Sequence, residues 1–303
     1  MSHRSSLPAP GLRYMAYGAF WFSVMSLLVK IAGAHLPTVE VVLVRSVVTL
    51  VLSAAMLRHA GVAPWGRRHG RLVLRGVLGF CALLCFYYAL THLPIADATV
   101  LQYMNPVFTA LLAAGLLGER LALGEVAATA VSLAGVVLVA RPSVLFGGAV
   151  ALPLHAVAIA LLGALCSASA YVTVRSMGRA EHPLVVVFYF PLVSVPLGLP
   201  LVLPVWVWPT AREWAVLAGV GIATQIAQVY LTKGLQLEPA GRATAVGYLQ
   251  VVFAAVWGLL FFGERPGLWT VGGTLLVAAG TLALTTLHQR RAGRIEPTER
   301  AAA

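Results

Sequence analysis

The sequence predicts an all-α membrane protein with ten transmembrane helices, arranged as two inverted repeats of five helices each. Three observations predict this fold. First, 60% of the 303 residues are hydrophobic and only 10% are charged, whereas soluble domains carry about 25% charged residues. Second, continuous apolar runs of membrane-spanning length recur along the whole chain and do not alternate as the strands of a membrane barrel would. Third, a segment of the first half recurs in the second.

The apolar runs define ten spans, and a proline or a charged residue stands at most of their boundaries. Each span is long enough, in some cases with flanking residues, to cross a hydrocarbon core of ~30 Å. The predicted spans are 12–33, 37–57, 72–92, 95–117, 122–140, 154–176, 183–203, 213–235, 239–262 and 267–287. They divide the chain into an N-terminal segment 1–12, a first repeat 13–141, an extracytoplasmic linker 142–153, a second repeat 154–287 and a polar tail 288–303, which we expect to be disordered.

The basic residues predict the orientation. With both termini in the cytoplasm, 16 of the 21 lysines and arginines fall on the cytoplasmic side, as the positive-inside rule requires. The same placement explains the net charge of +11, because these residues lie beside anionic lipid head groups and form no nucleic-acid-binding face. We therefore expect an integral protein of the plasma (bacterial inner) membrane that contacts lipid and no nucleic acid, with a second copy of the chain as a candidate partner.

The segment 90–120 recurs without a gap at 235–265, and 11 of the 31 aligned pairs are identical. The identical pairs include Pro94/Pro239, Thr99/Thr244, Tyr103/Tyr248 and the closing Gly-Glu-Arg at 118–120 and 263–265. Since each copy belongs to a set of five helices, an odd number, the second set is upside down relative to the first. Inverted repeats of this kind are typical of secondary transporters, whose solute site lies near the membrane midplane between the halves.

The repeated segment also predicts local structure. The Gly-Glu-Arg end is interpreted as a turn with a charge pair at the membrane surface, outside the solute site. Pro106 predicts a helix break in the first copy, and because Val251 takes its place in the second, we expect the break in one half only.

Polar side chains within the spans are costly in hydrocarbon, so each suggests a role. Thr99 and Tyr103 are four residues apart and share a helix face, and Thr244 and Tyr248 repeat the pair from the opposite leaflet. We expect the four side chains to meet near the centre of the membrane and to line a solute cavity. The alternative is that their hydroxyls hydrogen-bond to neighbouring helices.

Three amides and one further tyrosine complete the predicted site: Gln102, Gln225, Gln228 and Tyr171. Amides carry donors and acceptors without charge, which suits a polar or zwitterionic solute. Interhelical hydrogen bonds are again the alternative.

Arg45 is the most costly residue, because it lies about two turns inside the second span. It could hold a carboxylate or phosphate of the solute. An ion pair with Glu40, or a guanidinium that reaches the outer head groups, is the alternative. No carboxylate is predicted at mid-membrane, so proton antiport through a central acid is disfavoured, and exchange or facilitated diffusion fits better.

No pattern in the sequence predicts catalysis. The histidines are scattered, and there is no HExxH, no GxSxG and no glycine-rich phosphate loop. Cys81, Cys85 and Cys166 are predicted to be free thiols. We expect neither an enzyme nor a protein that binds a cofactor or a metal.

Several short motifs resemble a known family. They are Arg75-Gly76-Val77-Leu78-Gly79, Tyr87-Tyr88-Ala89, Ala96-Asp97-Ala98-Thr99-Val100, Pro106-Val107-Phe108-Thr109 and Arg141-Pro142, with 232–241 and Val252-Phe253-Ala254 in the second half. With them the chain resembles the drug/metabolite transporter superfamily, in the form of two EamA-type repeats over roughly residues 13–287. The similarity is to the branch that contains bacterial permeases and the animal G-type members of solute carrier family 35.

The resemblance implies ten helices, cytoplasmic termini, a central cavity lined by spans 1, 3, 4, 6, 8 and 9, and transport of small metabolites such as amino acids or nucleobase-containing compounds. The sequence therefore predicts a secondary transporter of a small polar metabolite that works by alternating access. Two alternatives stay open: an exchanger of organic anions or phosphate-bearing metabolites that uses Arg45, and a non-transporting membrane subunit or lipid-handling partner.

Overall fold

The computed structural model describes residues 9–32, 36–93, 95–119, 122–140, 143–146, 152–263 and 267–301. These residues form helices joined by short connections, with two short 3₁₀ turns at Gly178–Ala180 and Leu203–Val205. The helices are α1 Pro10–Ala32, α2 Thr38–His59, α3 His69–His92, α4 Ile95–Gln102, α5 Asn105–Leu117, α6 Leu123–Ala140, α7 Ser143–Phe146, α8 Leu154–Met177, α9 Pro183–Val202, α10 Ala211–Leu237, α11 Ala240–Val246, α12 Leu249–Phe262 and α13 Leu268–Ala301.

The predicted all-helical membrane fold is confirmed. In the described part of the chain, nine segments of at least 18 residues are apolar enough to cross a bilayer, and 268–284 is a shorter apolar helix in the place of the tenth span. The last helix differs from the expectation, because it continues through the tail to Ala301. The tail was expected to be disordered for its polarity, but it is rich in alanine, glutamate, glutamine and arginine, which have high helix propensity.

The fourth and ninth spans are each built from two helices, α4 with α5 and α11 with α12. The sequence predicts a break in the first half only, and that expectation is wrong. In the second half the amides of Gly247 and Tyr248 donate to the carbonyl three residues earlier, at 2.9 and 3.2 Å, which tightens the turn as in a 3₁₀ helix. A Cβ at position 247 would lie 2.9 Å from the Thr244 carbonyl oxygen. Glycine thus permits in one copy the break that Pro106 accompanies in the other.

The main helix contacts join one repeat to the other. Helix α1 packs on α10, α3 on α8, α6 on α13 and α2 on α9. In span numbers these pairs are 1 with 8, 3 with 6, 5 with 10 and 2 with 7. When each span is replaced by its counterpart in the other repeat, the pair 1 with 8 becomes the pair 6 with 3, and the pairs 5 with 10 and 2 with 7 are unchanged. The packing therefore has the two-fold symmetry of an inverted repeat.

Small residues allow α6 and α13 to approach closely beside the centre of the bundle. A methyl group at Gly135 or at Gly273 would lie 2.5 Å from the carbonyl oxygen of the other. Close backbone contact at small residues is a common way for helices to associate in lipid, where no hydrophobic force drives them together. The fifth and tenth spans are thereby held as a pair along one wall of the central cavity.

Candidate solute-binding cavity

A cavity of about 840 Å³ lies between the two repeats. At one end of the bundle its lining reaches Ala140, the last residue of α6, and Thr270, near the start of α13. We call this the open end. Towards the opposite end the lining stops at Met15 and Thr244, more than one helical turn inside α1 and α11. We call that end the charged end, for the ion pairs described below.

Six of the nine predicted site residues line this cavity: Thr99, Gln102, Tyr103, Tyr171, Thr244 and Tyr248. The rest of the lining is mostly apolar and aromatic, with a few further polar groups. The additional residues that bear on its chemistry are Met15, Phe22, Met25, Ser26, Phe86, Asn105, Leu231, Gln250 and Thr270. Spans 5 and 10 contribute lining that the family resemblance did not imply, span 5 through the apolar residues Val136, Val139 and Ala140, and span 10 through Thr270.

The two repeated tyrosines meet in the cavity but differ in their contacts. Their ring centres are 5.8 Å apart. Tyr248 is fully buried, and its hydroxyl donates to the Tyr103 carbonyl oxygen at 3.0 Å, at the break between α4 and α5. Tyr103 is half-buried, and in the described part of the chain its own hydroxyl has no hydrogen-bond partner. Tyr248 therefore fixes the break in the other repeat, and the Tyr103 side chain lines the cavity.

Three other predicted residues that line the cavity also differ in whether their polar atoms are hydrogen-bonded. Gln102 and Tyr171 are half-buried and, within the described residues, keep their polar atoms unpaired. The Thr244 hydroxyl donates to the Ala240 carbonyl of its own helix at 2.9 Å. The cavity thus presents hydroxyl and amide groups on an aromatic and apolar wall, which suits an uncharged polar or zwitterionic solute.

Two further amides tie the broken spans to their neighbours. Asn105 donates to the Ser167 hydroxyl at 2.6 Å and accepts from Thr109 at 2.9 Å. At the symmetry-related position, Gln250 donates to the Ser26 hydroxyl at 3.2 Å. The first contact joins spans 4 and 6, and the second joins spans 9 and 1, so each break is anchored in the opposite repeat.

Two predicted glutamines do not line the cavity. Gln225 is buried between α10 and α2, where it accepts a hydrogen bond from Ser53 at 3.1 Å and donates to the Met56 sulfur at 3.4 Å. Gln228 accepts from the guanidinium of Arg75 on α3 at 3.1 Å. These contacts are the interhelical hydrogen bonds that the sequence left open as the alternative.

Arg45 does not line the cavity either. Its Nη1 atom lies 3.9 Å from the sulfur of Met25, which does line it. Glu40, the partner that the sequence suggested, instead accepts the Val207 amide at 3.0 Å. Arg45 is thus separated from the solute space by the Met25 side chain.

Glu119 links several helices at the charged end. Its carboxylate forms an ion pair with Arg175 on α8 and accepts the Ala240 amide at the start of α11 at 2.8 Å. Gly118, at φ 68°, ends α5 in the left-handed conformation that glycine readily adopts. The predicted turn is therefore present, and the charge pair reaches another span. Arg120 and residues 264–266 lie outside the described residues.

A second ionic group lies beside the first. Nη2 of Arg242 on α11 is 2.7 Å from Oε1 of Glu125 on α6, and Nη1 is 3.6 Å from Oε2 of Glu238. All three side chains are at least nine-tenths buried. We call Glu119, Arg175, Glu125, Glu238 and Arg242 the charged layer. It joins helices of both repeats and closes the cavity at this end.

Comparisons with known proteins agree with this architecture. The EamA-like transporter family matches residues 9–141 and 154–286, once in each half. The pseudopaline exporter CntI of Pseudomonas aeruginosa is 35% identical over 276 residues, which cover 91% of this chain and 95% of the exporter. Human solute carrier family 35 member G1 is 33% identical over 92% of this chain and 80% of its own length.

Two further matches are more distant. The S-adenosylmethionine uptake transporter of Rickettsia prowazekii is 27% identical over 88% of this chain and 91% of its own length. A solved crystal structure with 21% sequence identity superimposes with a TM-score of 0.80 over 92% of this chain and 98% of its own, which shows the shared fold. The relatives named for a function are transporters, and the chain belongs to the EamA-like transporter family, within the drug/metabolite transporter superfamily.

Proposed function

We propose that this protein is a secondary transporter that moves a small polar metabolite, such as an amino acid or a related compound, by alternating access. It acts as an exporter or an exchanger in the plasma (bacterial inner) membrane, with both termini and the charged end in the cytoplasm. The relatives support transport of metabolites, and one is named an exporter while another is named an uptake transporter. The basic residues support the orientation.

The observation that carries the proposal is a cavity between two inverted repeats that is open at one end and closed at the other. In an inverted repeat, exchanging the conformations of the two halves closes the open end and opens the closed one. The solute would meet Gln102, Tyr103 and Tyr171, whose polar atoms are unpaired within the described residues. Glu119, Glu125 and Glu238 are held in the charged layer, away from these groups, so we expect exchange without a requirement for a pH gradient.

Flux through purified protein tests the proposal. We would reconstitute the full chain in liposomes loaded with a panel of metabolites and measure uptake of the labelled compounds with and without a pH gradient. The expected result is exchange of at least one solute, with a KM raised by Tyr103→Phe. Tyr17→Phe is the matched control, because Tyr17 lies outside the cavity and is about half exposed on α1. Absence of flux for every solute would contradict the proposal.

A further inference from the structure

Arg75 is a buried cation that the cavity does not account for. It lies on α3, less than two turns from the charged end of that helix, and is only 3% exposed. Its Nη2 atom donates to Gln228, and its guanidinium carbon lies 4.6 Å from the centre of the Phe190 ring. Its Nε atom is buried without a hydrogen-bond partner in the described part of the chain. Arg75 thus has one neutral acceptor and one aromatic face.

The described carboxylates of the bundle are engaged elsewhere. Glu119 binds Arg175, both Glu125 and Glu238 lie beside Arg242, Glu181 accepts the amides of Arg67 and Arg68, and Glu40 accepts that of Val207. Within the described residues, Arg75 has no carboxylate partner. A buried charge without a counter-ion is costly, and the contacts with Gln228 and Phe190 place no negative charge beside the guanidinium.

The free groups around Arg75 are hydrogen-bond donors. The Phe190 ring covers one face of the guanidinium and does not cover its edge, where the N–H groups lie. Gln228 uses its oxygen to accept from Arg75, and its NH₂ group is unpaired within the described residues. Gln228 is only half-buried although it lies between helices, so there is space beside it. A planar guanidinium edge next to an amide donor matches the two oxygens of a carboxylate or a phosphate.

The donor group lies next to the cavity. Helix α3, which carries Arg75, contributes Phe86 to the cavity lining and packs on α8, which contributes Tyr171. On α10, Gln228 is one turn from Leu231, which also lines the cavity. Arg75 and Gln228 therefore lie on two helices that border the cavity.

We propose that Arg75 and Gln228 form an oxyanion-binding subsite, which takes the carboxylate or phosphate of the transported metabolite. The subsite rests on the proposed transport function, and narrows it to solutes that carry such a group. It also transfers to Arg75 the role that the sequence suggested for Arg45. The hydroxyl and amide groups of the cavity bind the polar remainder of the solute, and Arg75 supplies the counter-ion.

The test uses matched probes, of which one carries an oxyanion that the other lacks. L-Phenylalanine is compared with L-phenylalaninamide, and adenosine 5′-monophosphate with adenosine, for transport by the reconstituted full chain and for stabilisation of the purified protein against heat. The wild type should prefer the member with the oxyanion in at least one pair by about tenfold, as expected for hydrogen bonds to a charged group. The first pair reports a carboxylate and the second a phosphate.

Variants at Arg75 make the test specific. Arg75→Gln should bring the preference close to one, with transport of the member that lacks the oxyanion retained. Arg75→Lys should keep part of the preference, because a lysine supplies the charge without the planar edge. Arg58→Gln, which removes an exposed positive charge at the same end, should leave the preference unchanged. Without solute, Arg75→Gln should melt no lower than the wild type, because it removes an unpaired charge.

Three results would overturn the subsite. The first is an Arg75→Gln variant with the wild-type preference. The second is a wild type that favours neither of the probes that carry an oxyanion. The third is an Arg75→Gln variant that melts several degrees lower and loses both members of a pair equally, since that would show a structural arginine. Failure of the transport function itself is distinguishable, because the wild type would then move no solute in the whole panel.

Discussion

Tyr103 and Tyr248 occupy the same place in the two copies of the repeated segment, yet their environments differ. Tyr248 is fully buried and its hydroxyl caps the carbonyl of Tyr103. Tyr103 is half-buried and directs its side chain into the cavity. Two equivalent residues in an inverted repeat can differ in this way when the two halves adopt different conformations.

The difference indicates which contacts change during transport. Exchange of the two conformations would place Tyr103 in the buried position, with its hydroxyl on the Tyr248 carbonyl, and would free the Tyr248 side chain. The charged layer lies at the end where the cavity is closed, so the proposed alternating access requires it to open in that exchange. The predictions below disrupt first the closed end and then the tyrosine pair.

The largest effect is expected from Arg242→Met. This change removes the arginine that pairs with the fully buried Glu125, and removing one partner of a buried ion pair costs about 3–5 kcal/mol. We expect a large fall in the melting temperature of the purified protein. The double variant Arg242→Met with Glu125→Gln should recover much of the loss, because the side chain at position 125 then carries no charge that needs a partner. Equal melting temperatures for the single variant and the wild type would show that the pair does not stabilise the closed end.

Glu119→Gln should shift the closed end towards opening. It removes the ion pair with Arg175 but keeps an oxygen that can accept the Ala240 amide, and a hydrogen bond to a charged group contributes about 2 kcal/mol. A loss of that size changes the ratio of open to closed molecules by about 30-fold. The measurement uses the substitution Thr244→Cys in a chain whose three native cysteines are replaced by serine. The rate at which this thiol reacts with a maleimide added at the charged end should rise.

Glu213→Gln is the control for this experiment. Glu213 forms a capping box with Thr210 at the start of α10, at the opposite end of the bundle. The substitution therefore removes a similar charge without changing the charged layer. Its labelling rate should match that of the parent chain. An unchanged rate in Glu119→Gln would separate the Glu119–Arg175 pair from closure.

These two predictions rest on contacts that the sequence could reveal only in part. The inverted fold followed from a gapless repeat and an odd number of spans, and six of the nine site residues line the cavity because a helical face fixes which neighbours share a surface. The second break was missed because Gly247 gives a weaker signal than a proline. The contacts of Gln225 with α2 and the ion pairs of Arg242 depend on how helices that are far apart in sequence pack together. The pattern of residues within one helix does not predict that packing.

The tyrosine pair gives a smaller and more specific effect. Tyr248→Phe removes the bond to the Tyr103 carbonyl, worth about 1 kcal/mol, so the melting temperature should fall while the KM for solute changes little. Tyr103→Phe removes a hydroxyl that faces the cavity, so the KM should rise about fivefold with little change in melting. Identical behaviour of the two variants would mean that the difference between the tyrosines has no functional consequence.

The smallest effect is expected at Gln225, and a comparison with Gln102 sharpens it. Gln225→Leu removes the acceptor of the buried Ser53 hydroxyl, at a cost of about 1 kcal/mol or less because that hydroxyl can turn to a backbone carbonyl of its own helix. We expect a slightly lower melting temperature and an unchanged KM.

Gln102→Leu removes an amide that lines the cavity and has no hydrogen-bond partner among the described residues, so it should raise the KM and leave the melting temperature unchanged. A raised KM in Gln225→Leu would instead return Gln225 to the solute site that its sequence first suggested.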